Sequence, residues 1–155
     1  MDDSVLASLR SFDGVWSRVS GTGVDAQPRS MRELTDMAAR LCEQYAALSR
    51  RCPRFAQKLS HMYRDEGALL RRLTAEGFLL NGEEYVPASA CAVIHGQLSG
   101  LRGAYIASCA LADALAEYAR GAGGALRSTL EHLSAAERGR AAELRELILR
   151  YMDAI

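Results

Sequence analysis

Two glutamates, Glu66 and Glu137, stand where a helix would show an apolar residue. Around the first, Phe55, Leu59, Met62, Glu66, Leu69 and Leu73 recur at intervals of three and four; around the second, Leu126, Leu130, Leu133, Glu137, Ala141, Leu144 and Ile148 do the same. That spacing puts each series on one helical face. A carboxylate in an inward stripe needs a partner, because an unpaired charge in an apolar interior is expensive. Buried carboxylates facing one another are the raw material of a metal site, or what is left after one has been lost.

The elements that would have to position this pair are helices. The chain has 155 residues, enough for one domain with a continuous core and no disulfides. Ala, Leu, Arg and Glu dominate and only three prolines occur, which favours helix throughout. Val5, Leu6, Leu9, Phe12, Val15 and Trp16 predict a leading helix over 4–19, followed by a turn-rich linker over 20–28. Trp16 would anchor that segment on the remainder. A first long helix is expected from about Ser30 to Arg51, opened by the Ser30–Glu33 capping pattern. A second begins with Pro53 in its first turn and stops near Leu80, at Asn81-Gly82. Residues 81–96 predict a connection, with a turn or short helix beginning near Ser89. The third helix covers about Gln97 to Arg120 and ends at Gly121-Ala-Gly-Gly124; the fourth covers about Ala125 to Met152. The expected fold is therefore all-α: residues 1–29 as leading helix and linker, and 30–155 as a four-helix bundle of two hairpins joined by a long central crossover, together one domain.

Charge and cysteine content exclude several function classes. With 19 basic and 19 acidic residues the formal charge is zero, and no nucleic-acid surface is expected. Arg50–Arg51 and Arg71–Arg72 read as solvated helix surface. No apolar run is long enough for a membrane span, and the acidic start Met1-Asp2-Asp3 lacks the pattern of a secretory signal, so the expected location is cytoplasmic. Cys42, Cys52, Cys91 and Cys109 contain no C-x-x-C pair, which argues against a zinc knuckle or a thioredoxin motif. Cys42 and Cys109 are expected as small helix-core residues.

A weak internal repeat supports the two-hairpin reading. Leu59-Ser-His61-Met62 precedes Glu66 with the spacing by which Leu130-Glu-His132-Leu133 precedes Glu137, and Tyr45 and Tyr118 fall at nearly the same offset in the preceding helices. Separately from the repeat, residues 12–152 carry Val15-Trp16-Ser-Arg-Val19, Tyr45-Ala-Ala-Leu48, Asp65-Glu66, Phe78-Leu-Leu-Asn-Gly-Glu-Glu-Tyr85-Val-Pro87 and Ala136-Glu137. In these parts the chain resembles the ferritin-like superfamily, particularly small bacterial rubrerythrin-like domains. The resemblance implies a site inside the bundle where two metals, iron or manganese, are held by one carboxylate from each of two helices and Glu-x-x-His from each of the other two. Anionic ligands are needed there because two divalent cations bring about four positive charges into a dry core.

Carried onto this chain, the pattern is degenerate. Glu66 and Glu137 are retained, but the expected histidines are replaced by Leu69 and Arg140, neither of which can ligate a metal. Aligned through Tyr45 and Tyr118, the remaining carboxylate positions fall near Ala38 and Leu111. Glu43 and Asp113 are the nearest acidic substitutes, and both lie off the apolar faces. His61 and His132 stand five residues before their glutamates, about 140° around the helix, and neither pairs naturally with its own glutamate. Capping or surface roles are expected of both. His95 falls in the crossover.

Arg140, three residues after Glu137 and on nearly the same face, could reach across to Glu66. Tyr45, Tyr105 and Ser108 would add hydrogen bonds if they point inward. The expected site is thus a metal-free polar cluster of Glu66, Glu137, Arg140, Tyr45, Tyr105 and Ser108, with a net charge near −1. No cofactor is expected, and the function would be non-enzymatic: a structural or protein-interaction module, with a protein partner or a second copy. The alternative is a divergent di-iron oxidoreductase or metal-binding protein using Glu66, Glu137, Glu43 and Asp113. A small-molecule pocket between the helices, near the tyrosines and small residues of the third, is a third reading.

Overall fold

The computed structural model of the chain describes residues 30–88 and 91–155. The leading helix expected over 4–19, its Trp16 anchor and the linker lie outside the described residues, as does Ser89. Four long helices make up the fold: α1 (Met31–Arg51), α2 (Ala56–Asn81), α3 (Gln97–Gly121) and α4 (Gly124–Asp153). The described residues contain no strand. None of the helices is long and apolar enough to cross a membrane.

Local chemistry accounts for the boundaries. Ser30 caps α1, its hydroxyl accepting from the Glu33 N–H at 3.2 Å and satisfying one of the free donors of the first turn. Pro53 opens a single 3-10 turn, Pro53–Phe55, that leads straight into α2. At the far end of α2, Gly82 takes φ 71°, a left-handed conformation that costs glycine little. Between α3 and α4 the chain reverses through Ala122 and Gly123, and Gly124 also has positive φ, 59°. Residues 91–95 carry no helix; α3 begins at Gln97.

Contacts between helices define the direction of each. Met31, at the start of α1, lies against Gly77 near the end of α2, so these two are antiparallel. Ser108 and Ala112 of α3 meet Glu137 and Ser134 of α4, a second antiparallel pair. The crossover then runs the length of α1. Tyr85 donates a 2.6 Å hydrogen bond to Asp36 near the start of α1, and Arg32 stacks on the Tyr85 ring while reaching Glu83. At the other end, Ile94 and Leu48 close on Gly100 of α3. Consequently α3 is antiparallel to α1 and parallel to α2, and α4 runs with α1. Lys58–Glu143, Glu66–Arg140 and Arg72–Thr129 contacts follow α2 and α4 in opposite directions along their shared edge.

Each helix sends leucines into one core. Leu34, Leu41 and Leu48 of α1 meet Leu59 and Leu73 of α2, Leu101, Leu111 and Leu115 of α3, and Leu130 and Leu144 of α4, all fully buried. At about 1.5–3 kcal/mol for each leucine removed from water, this stripe is the main force holding the helices together. Polar groups interrupt it at mid-height, where Glu66, Ser108, Glu137 and Arg140 are also buried.

Candidate functional site

α2 and α4 each carry one glutamate inward at the same level, and both are completely buried. Arg140, one turn beyond Glu137, turns its guanidinium between them. Its Nε donates to Glu66 Oε2 at 2.9 Å and to Glu137 Oε2 at 3.1 Å, and its Nη2 donates to Glu137 Oε2 as well. From α3, the Ser108 hydroxyl donates to Glu137 Oε1 at 2.5 Å. Arg140 is thereby the polar link between α2 and α4 inside the core, and Ser108 ties α3 to the same carboxylate.

The protonation state follows from this crowding. Burial pushes the Glu66 carboxyl up from an ordinary value near 4.5 to about 9, and the neighbouring Glu137 adds to the rise; Arg140 opposes both without cancelling them. Glu66 Oε1, the oxygen that Arg140 does not reach, is buried without a hydrogen-bond partner. The direction is toward a protonated Glu66, since burial and the neighbouring carboxyl both disfavour its anion.

α1 closes the site from the fourth side. Tyr45 is fully buried, with its hydroxyl beside Ser108 and the carboxyl pair, yet that hydroxyl makes no hydrogen bond. Burial, reinforced by Glu137 and Glu66, holds its phenol well above the ordinary tyrosine range. Tyr105, one turn before Ser108, is half-buried and packs against the apolar core. Cys42, one turn before Tyr45, is the neighbour that sequence reasoning did not join to the cluster. Its thiol is pushed up to about 12 by burial and then by Glu66 and Glu137, so it is an unreactive wall of the site. The signal was present, since positions 42 and 45 share a helical face.

The acidic residues of the alternative metal set do not come together. Asp113 is exposed and lies 3.5 Å from Arg138 on the outside of α3 and α4. Glu43 is half-buried on the outer side of α1, where it lines a groove against α2. Leu69, Ala38 and Leu111, which stand at the expected ligand positions, are all buried apolar residues. Ser108, expected in the cluster, is the α3 residue that meets Glu137. His61 and His132 are exposed.

A two-metal centre does not fit this arrangement. Among the described residues, no three His, Cys, Asp or Glu side chains are grouped so as to hold a metal ion. The space between the two glutamates is filled by a cationic guanidinium with no lone pair to offer. What the site can do chemically is tie α2, α3 and α4 together at one level through a buried hydrogen-bonded ion-pair network, with Tyr45 of α1 packed beside it. Against protein-family models, curated proteins and solved structures, the chain has no match.

Proposed function

We propose that the chain is a ferritin-like bundle of the rubrerythrin-like kind in which an arginine-bridged carboxyl pair replaces the metal centre, and that it serves as a non-enzymatic structural or protein-interaction module. The observation that carries this reading is Arg140, which occupies an expected histidine position and spends its donors on both glutamates. A crossover lying along α1 between two antiparallel hairpins supports the ferritin-like part. An exposed apolar group at the end of α2 and in the crossover, comprising Phe78, Leu79, Leu80 and Val86, supports the interaction part.

Metal content after anaerobic reconstitution with Fe(II), and separately with Mn(II), tests the proposal. The expected result is no metal above the level retained by Glu66→Gln and Glu137→Gln variants. About two metal ions per chain, lost in both variants, would replace this reading with the divergent di-iron oxidoreductase.

A further inference from the structure

On the outer side of the α1–α2 hairpin, sharing Cys42 with the wall of the buried cluster, lies an open groove of about 410 Å3 beneath Pro87 and Ala88 of the crossover. Its polar lining is one-sided. Arg40 from α1 and Arg64 and Arg71 from α2 enter it, against a single acid, Glu43. Three arginines and one glutamate leave a formal charge of +2, in a chain whose overall charge is zero. Among the described residues none of these four side chains is in an ion pair, whereas Arg32, Arg72, Arg127 and Arg138 each reach a carboxylate elsewhere on the surface.

Helical geometry puts two of the arginines on one side of the groove. Arg64 and Arg71 are seven residues apart, two turns along one face of α2 and about 10 Å along its axis. Between them on that face sits Gly67, which leaves bare backbone as the groove floor. Arg71 folds back into that space: its Nη1 lies 3.5 Å from where a Gly67 Cβ would be. The remaining lining is apolar, with Leu70, Ala39 and the ring of half-exposed Tyr63. Cys42 also borders the groove, its thiol pushed up to about 12, chiefly by burial.

We propose that this groove binds a small organic phosphate monoester, its dianionic phosphate taken by Arg64, Arg71 and Arg40 and its carbon skeleton lying on Leu70 and Tyr63. Guanidinium forks match phosphate oxygens in pairs, and two negative charges equal the charge of the lining. The volume suits a ligand of ordinary metabolite size. Nothing in this assignment depends on the state of Glu66 and Glu137.

Phenyl phosphate is the probe, titrated into the full-length chain while backbone amide shifts are followed by NMR. The expected result is saturable shifts centred on Gly67, Arg71 and Ala39, with inorganic phosphate binding more weakly. An Arg64→Gln/Arg71→Gln variant, with helix content unchanged by circular dichroism, should bind at least about tenfold more weakly, as loss of two charge-assisted contacts requires. An Arg50→Gln/Arg51→Gln variant should bind as the parent does. Absence of saturation below about 10 mM, a scale at which affinity is negligible, would overturn the proposal. So would equal weakening in the two double variants, or equal affinity for inorganic phosphate.

Discussion

A proton on Glu66 changes what Arg140 has to balance. With that proton in place, the guanidinium answers one carboxylate, on Glu137, and donates a hydrogen bond to a neutral carboxyl on Glu66. The two glutamates, alike in sequence, therefore tolerate substitution differently. Glu66→Gln keeps the shape and the charge state and should cost little, whereas Arg140→Met strands a buried carboxylate and should cost about 3–5 kcal/mol. Adding Glu137→Gln to Arg140→Met should return part of that loss; urea unfolding measures all three. The sign of the pH dependence follows from the same proton. The folded chain keeps it up to about 9 while the unfolded chain releases it near 4.5, so its stabilising effect is complete below pH 4.5 and is lost progressively as pH rises to 9. Across that window this group should make the chain progressively less stable as pH rises. The difference in slope between the parent and Glu66→Gln isolates it. A Glu66→Gln variant with the parent's slope would place the proton elsewhere.

Among the elements, α3 shows how closely two helices and the crossover can meet. A Cβ on Gly100 would lie 2.7 Å from Leu48 Cδ2 and 2.8 Å from Ile94 Cγ2, while one on Gly103 would meet nothing within 4 Å. Both glycines are inside the helix, where alanine is intrinsically better by about 1 kcal/mol. Gly103→Ala should accordingly raise the melting temperature by several degrees, and Gly100→Ala should lower it, because Leu48 is fully buried and has little room to move. Helix limits such as these were legible in the sequence. Ser30, Pro53, Gly82 and the Gly121–Gly124 run each impose a backbone requirement at one place, and the helices begin or end within a residue or two of them. The inward stripe through Glu66 and Glu137 was legible for the same reason, since periodicity is local. Register between helices was not. Ser108 was expected in the cluster and meets Glu137, but Tyr45, expected there as a donor, makes no hydrogen bond, because the level of α1 against the other helices is decided by side-chain packing that leaves no periodic trace. The arginine groove was hidden similarly: Arg40 comes from one helix and Arg64 and Arg71 from another, and each alone reads as ordinary solvated surface.

For the molecule as a whole, apolar surface is distributed unevenly. Leu79 and Val86 are about three-quarters exposed, at 77% and 75%, and Phe78 and Leu80 about half, all near the end of the bundle where α1 begins. If this end makes the contacts assigned to an interaction module, Leu79→Glu should shift the chain toward a smaller assembly in sedimentation analysis and leave its melting temperature unchanged. An identical sedimentation profile would remove that end as a self-association surface. The order of helix directions has a mechanical consequence. Because α1 and α4 run the same way, Met31 and Asp153 lie at opposite ends of the bundle, separated by roughly the length of a 25-residue helix, about 40 Å. A load applied between them acts along the helix axes. It must slide α4 and α1 past their neighbours, with every leucine layer and the Arg140 bridge resisting at once, instead of peeling one helix away turn by turn.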